Sequence, residues 1–157
     1  MTTVYIGLGA NIDGPIEQIH IALQTLKALP ETQLHRCSSL YGSAPLGPED
    51  QPDYVNAVAE LETGLSPMDL LDALQAIEKT QGRVKQRHWG ERCIDLDILL
   101  YGDETLSSER LNLPHHEMKN RSFVVTPLLE IAPDLVLPDG QPLCQIEPEF
   151  DGDLHKL

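Results

Sequence analysis

The chain has 157 residues, of which 41% are hydrophobic, and a formal net charge of −14. That length suits one domain, read here as 1–157, and the apolar fraction supports a folded globule over a disordered chain. No apolar run approaches the ~20 residues of a bilayer crossing, the N-terminus lacks a basic leader, and the acidic balance disfavours nucleic acid and anionic membranes as partners.

Val4 to Leu8 is a short apolar run bounded by Gly9 and predicts a buried strand. Asp13-Gly14-Pro15 opens a helix whose stripe is Ile16, Ile19, Leu23 and Leu26, and Pro30 ends it. Leu34 to Tyr41 predicts a second strand. Gly42 to Pro52 holds Pro45, Gly47, Pro48 and Pro52 and is expected to be loop. Tyr54 to Glu62 alternates, with Val55, Ala57, Ala59 and Leu61 on one face and Tyr54, Asn56, Val58 and Glu60 on the other. Ser66-Pro67 starts a helix that buries Leu70, Leu71, Leu74 and Ile77 and stops near Gly82. Ile94 to Tyr101 predicts an apolar strand, packed in the interior and not a wet edge, interrupted only by Asp95 and Asp97. The order strand, helix, strand, strand, helix, strand is the split βαβ pattern of ferredoxin-like α/β (α+β) folds, an antiparallel sheet with helices packed on one face. Beyond Gly102, a short helix is expected over Phe123 to Ile131, restricted by Pro127, and an acidic tail, loosely held, from Glu147.

Three cysteines, Cys37, Cys93 and Cys144, lie far apart without a CxxC pair. This spacing argues against a disulfide scaffold or zinc site and for a reducing cytoplasm, with Cys93 a small core residue. Against the acidic average, Lys79, Arg83, Lys85, Arg87 and Arg92 crowd one short segment. Such a segment is either a solvated basic loop or the seat of a small, highly charged anion.

Asp95 and Asp97 share one face of a strand, ~7 Å apart. Two carboxylates so placed repel unless a cation lies between them, and magnesium takes carboxylate oxygens while sharing substrate phosphates. The bland alternative is a solvated sheet face with Arg partners. Arg92 and the loop cations beside this pair are the recurring parts of phosphoryl-transfer sites. His115, His116, Lys119 and Arg121 form a second polar group, either structural or anion-binding. Tyr54 and Asn56, two apart on a strand, present a ring and an amide to a flat heteroaromatic ligand, or else merely cover the sheet. Trp89, the single tryptophan, sits in the basic loop as a lid or an anchor. Gly7-Leu8-Gly9 has no following GK[ST], so a P-loop is excluded, and no GxSxG or Cys/His pairing argues for nucleophilic catalysis.

Taken together, these residues resemble the 6-hydroxymethyl-7,8-dihydropterin pyrophosphokinase family. The resemblance runs from Tyr5-Ile6-Gly7-Leu8-Gly9-Ala10-Asn11 to Pro138-Asp139-Gly140. Its most specific blocks are Pro45-Leu46-Gly47-Pro48 with Gln51-Pro52-Asp53-Tyr54-Val55-Asn56, then Arg92-Cys93-Ile94-Asp95-Leu96-Asp97-Ile98, then Leu113-Pro114-His115 with Met118-Lys119-Asn120-Arg121-Ser122-Phe123. The resemblance implies transfer of the β,γ-diphosphate of ATP to a pterin hydroxyl, releasing AMP, in folate biosynthesis. It implies that Asp95 and Asp97 hold two Mg²⁺ ions with ATP, and that Arg83 and Arg92 contact phosphate with His115 and Arg121. Tyr54 and Phe123 would sandwich the pterin ring, with Asn56, Ser43 and Leu46 at its edge. Gln75, Glu78, Ile98 and Arg110 match nucleotide-side positions, and Trp89 would close over the site. The chain departs from the family pattern in a shorter Gly82–Trp89 loop and in His116, Ser43-Ala44 and Asn112. Partners are thus expected to be ATP and a reduced pterin, with no nucleic acid or membrane and a monomer as the simplest assembly. Two other readings are a DxD nucleotide-sugar glycosyltransferase, disfavoured by a short chain without a doubly wound domain, and a non-catalytic ferredoxin-like binding module.

Overall fold

The computed structural model describes residues 1–11, 14–43, 53–82, 94–146 and 154–157. Its elements are β1 (Thr2–Ala10), α1 (Pro15–Lys27), β2 (Thr32–Cys37), β3 (Tyr41–Ser43), β4 (Tyr54–Thr63), α2 (Pro67–Gln81), β5 (Asp95–Tyr101), β6 (Leu106–Ser107), β7 (Asn112–Leu113), α3 (Ser122–Ile131) and β8 (Leu154–Lys156). The main sheet runs β5-β1-β4-β3-β8, with β2 also paired to β4, and every pairing is antiparallel. The β5-β1-β4-β2 part is the order that two split βαβ units produce. β6 and β7 form a separate ribbon.

Local signals explain the two long helices. Pro15 opens α1 behind Gly14, whose φ of 71° suits glycine. Ser66 caps α2, its Oγ accepting from the Asp69 N–H at 3.1 Å. Both helices pack on one face of the sheet, where Ile19, Leu26, Leu70 and Leu74 meet Val4, Ile6, Ala57, Leu61 and Ile98.

The other face is also covered, so the sheet does not carry helices on one side alone. Val58 of β4, Tyr5 of β1, and Leu99 and Leu100 of β5 pack against Val124, Val125 and Leu128 of α3. Helix α3 runs through Pro127, as the short apolar pattern predicts. Proline at its sixth position has no N–H to donate, so the helix continues through it with one i→i−4 bond fewer.

Two further expectations need revision, and a third is refined. The stretch Leu34 to Tyr41 is not one strand; β2 ends at Cys37 and β3 starts at Tyr41. Ser38 intervenes, its N–H and Oγ both bonded to the Val58 backbone, which breaks the ladder. β5 ends the main sheet but is not a wet edge, because its apolar run is buried on both faces. The tail is not uniformly loose, since β8 pairs with β3 and the Leu157 N–H bonds to the Leu40 carbonyl at 2.9 Å.

Between Tyr5 and Ile6 the β1–β5 register slips, Ile6 facing Ile98 while Tyr5 faces Leu100. Leu99 is the extra residue of this bulge. It turns two consecutive leucines toward α3, which explains an apolar run without alternation.

Candidate active site

β5 places the two carboxylates. Leu96 and Ile98 are buried against the helices, so Asp95 and Asp97 turn to the opposite face, where both remain half-exposed. Across the sheet they face glycines: Asp97 opposes Gly7 and Asp95 opposes Gly9. Gly9 in turn opposes Asn56 on β4. Asp95, Gly9 and Asn56 therefore form one row on one face, with no side chain at its centre.

Glu78 adds negative charge from α2, its Oε2 accepting from the Leu96 N–H at 2.8 Å. Burial pushes its pKa up to about 7, and the charges of Asp95 and Asp97 push the same way. Among the described residues, no group of three or more His, Cys, Asp or Glu closes a metal cage. A half-exposed carboxylate pair backed by a reluctant third carboxyl fits a divalent cation whose remaining ligands are water and phosphate.

Glu78 also makes a stability prediction. A carboxyl whose folded pKa is raised disfavours the native state as pH rises from its ordinary 4.5 through about 7. Solvent still reaches this group and screens the effect to about 1 kcal/mol. Metal-free Glu78→Gln is therefore expected to gain about 2–4 °C in Tm over the parent at pH 8 and little at pH 4.5. Melts in chelator at both pH values test this; an equal gain at both removes Glu78 as the cause.

The loop after β7 brings His115 to the same place. Its N–H donates to the Leu99 carbonyl at 2.9 Å, so the β5 bulge anchors this loop. Its Nδ1 accepts from the Glu117 N–H at 3.2 Å, which leaves Nε2 as the protonated nitrogen of a neutral ring. Nε2 lies 4.0 Å from Asp97 Oδ2. Burial lowers the His115 pKa to about 4, helped by Arg121 and His116, so near neutral pH the ring is a neutral donor and not an ionic partner of Asp97. The His116 ring stacks on it at 5.1 Å. Arg121 lies over the Phe123 ring, 5.5 Å from its centroid, and among the described residues its buried Nε has no hydrogen-bond partner. A buried guanidinium N–H without an acceptor is poised for an anion.

On β4, Asn56 is 5% exposed and not a solvated surface residue. Its Nδ2 donates to Ser43 Oγ at 2.7 Å, which fixes the amide plane. A Cβ built on Gly9 would stand 3.2 Å from Asn56 Oδ1 and 3.8 Å from the Tyr54 ring. The missing side chain at Gly9 thus keeps Oδ1 open as an acceptor beside the Tyr54 ring.

The structure gathers the expected residues unevenly. Ser43, Tyr54, Asn56, Asp95, Asp97 and His115 are tied to this sheet face by the contacts above, and Arg121 and Phe123 pair at the start of α3. Arg110 reaches α2 instead, where its Nη2 donates to Gln75 Oε1 at 2.8 Å and Asp72 Oδ1 at 2.6 Å. Ile98 commits its side chain to the core, leaving a ligand only backbone groups along the outer edge of β5. Leu46, Arg83, Trp89 and Arg92 lie outside the described residues, as do Lys85, Arg87 and Cys93. Gly9 and the Leu99 bulge were not recognised from sequence. Two glycines spaced by two in a strand are the signal that reveals the first, since that spacing bares one face.

The family model described as 7,8-dihydro-6-hydroxymethylpterin-pyrophosphokinase (HPPK) matches residues 5–133. The chain is 57% identical over 157 residues to the 2-amino-4-hydroxy-6-hydroxymethyldihydropteridine pyrophosphokinase of Haemophilus influenzae, covering all of this chain and 97% of that one. It is 55% identical over 143 residues to the protein of the same name from Pseudomonas aeruginosa, covering 91% and 88%. In fold it is similar to the crystal structure of Plasmodium falciparum HPPK-DHPS, with a TM-score of 0.73 at 13% identity. That match covers 91% of this chain and 43% of the longer one, so this chain spans less than half of that protein. On the match over residues 5–133 and the 57% identity across its full length, the chain belongs to the 7,8-dihydro-6-hydroxymethylpterin-pyrophosphokinase family.

Proposed function

We propose that this chain, as one domain, transfers the β,γ-diphosphate of ATP to the hydroxyl of 6-hydroxymethyl-7,8-dihydropterin, releasing AMP, in folate biosynthesis. The observation that carries the reading is the row Asp95–Gly9–Asn56. It sets a half-exposed carboxylate and a buried amide on one face with a gap between them.

Asp95 and Asp97 would hold magnesium, two ions with ATP. Magnesium bound there supplies charge neutralisation for the phosphates. His115 Nε2–H and Arg121 Nε–H would donate to phosphate oxygens, joined by Arg83 and Arg92. The ring would lie between Tyr54 and Phe123, with Asn56 Oδ1 accepting from a ring N–H and Ser43 and Leu46 completing its edge. Gln75, Glu78, Arg110 and the Ile98 backbone would border the nucleotide, and Trp89 would close over the site. The pterin hydroxyl oxygen attacks the β-phosphorus, the bond from that phosphorus to the α-phosphate oxygen breaks, AMP leaves, and the hydroxyl proton passes to solvent. No protein nucleophile is required, so catalysis rests on alignment and charge stabilisation. Excluding water at closure protects ATP from hydrolysis. In this reading the working unit is a monomer acting in the cytoplasm.

Protein, ATP, Mg²⁺ and hydroxymethyl-dihydropterin are expected to yield AMP, and omission of the pterin or addition of chelator is expected to stop it. AMP release independent of the pterin, or none in the full mixture, overturns the reading. Arg92→Ala is expected to lower the single-turnover rate by ~10²-fold or more while changing pterin affinity by less than about threefold, as for a group that acts on developing charge. A larger effect on affinity than on rate assigns Arg92 to binding instead.

A further inference from the structure

Glu130, on α3, lies outside the residues that face the substrates and accepts three hydrogen bonds from the segment entering β3. Tyr41 OH donates to its Oε1 at 2.6 Å, Ser39 Oγ to its Oε2 at 2.8 Å, and the Ser39 N–H reaches Oε2 at 3.0 Å. Tyr41 is itself buried, 7% exposed. β3 is only three residues long and ends at Ser43, whose hydroxyl sets the Asn56 amide. Two turns before Glu130, the same helix begins with Ser122 and Phe123. A second tie fastens this end of α3 to the sheet, Arg36 Nη1 donating to the Ile131 carbonyl at 2.9 Å.

One carboxylate thus joins β3, whose Ser43 hydroxyl braces the Asn56 amide, to the helix bearing an aromatic wall of the ring pocket. A β3 of three residues has little ladder of its own, and charge-assisted hydrogen bonds to a carboxylate are roughly twice as strong as neutral ones. We propose that Glu130 is a positioning residue for pterin recognition, holding β3 against α3 so that Ser43–Asn56 and Phe123 keep a fixed separation. The inference rests on the pterin subsite assigned above. Glu130 touches no substrate and acts through Tyr41 and Ser39.

The test compares kcat/KM for the pterin at saturating ATP and for ATP at saturating pterin. Glu130→Ala is expected to lower the pterin value about tenfold and the ATP value less than about twofold, in line with loss of charge-assisted bonds. Tyr41→Phe, which removes one bond and keeps the ring, is expected to lower the pterin value about threefold and stands in if Glu130→Ala does not fold. Thr32→Val removes the buried Thr32–Thr63 hydroxyl pair at the far end of the sheet and serves as a control for general destabilisation. It is expected to lower Tm without separating the two substrates. Equal losses for both substrates in Glu130→Ala and Tyr41→Phe, or an unchanged pterin value, overturn the proposal. Asn56→Ala separates the two readings. If it spares pterin recognition, the subsite assignment fails; if it impairs recognition while Glu130→Ala and Tyr41→Phe do not, only the role of Glu130 fails.

Discussion

Asp97→Ala is expected to abolish diphosphate transfer, by ~10³-fold or more in kcat, while the protein stays folded. A loss of that size corresponds to about 4 kcal/mol of transition-state stabilisation. Two features of the site argue for both halves of this result. Asp97 faces away from the helix-covered core, and its side chain is 39% exposed, so alanine leaves no buried cavity. It is also one of two aspartates whose charges add to the effect of burial in raising Glu78 to about 7, and three carboxyls so close favour a bound positive charge. Removing one carboxylate relieves repulsion in the metal-free protein, so Tm is expected to hold or rise slightly. AMP production measured beside a thermal melt separates the two effects. Turnover within tenfold of the parent would mean that the cation, and with it the phosphate, sits elsewhere.

Gly9→Val is expected to be nearly as damaging, for a different reason. Position 9 stands between Asp95 and Asn56 in the same row. Even a Cβ there comes within 3.2 Å of Asn56 Oδ1, and the γ-methyl groups of valine would project farther into the gap. That gap is where the proposed hydroxymethyl arm crosses from the ring pocket to the phosphates. The expected outcome is a fall of ~10²-fold or more in kcat/KM for the pterin, since a misplaced reacting group forfeits most of the gain from alignment. The fold is expected to tolerate the change, because valine suits a strand better than glycine does. Gly9→Ala is expected to fall between the parent and valine. A Gly9→Val enzyme with parental kcat/KM and a raised Tm would show that the substrate does not cross this row.

The pairing of Asp95 with Asp97 was legible because strand periodicity is local: any extended segment puts residues two apart on one face. The same logic located Tyr54 and Asn56, and the proline and serine signals located α1 and α2. The second helix layer was less accessible. Val58, Leu99 and Leu100 are apolar, but nothing within their own strands says that α3 will cover them. The break between β2 and β3 was hidden for a similar reason, since Ser38 bonds to a strand distant in sequence.

By itself, then, the sequence determined which side chains alternate, where helices start and stop, and which charged groups accompany one another. Tertiary structure alone decided three things: that Gly9 lies between carboxylate and amide, that a bulge at Leu99 holds His115 beside Asp97, and that Glu130 fastens β3 to α3. Periodicity is a property of neighbours along the chain. Register, bulges and long-range hydrogen bonds arise only when segments far apart in sequence pack together, and their free energies depend on that packing.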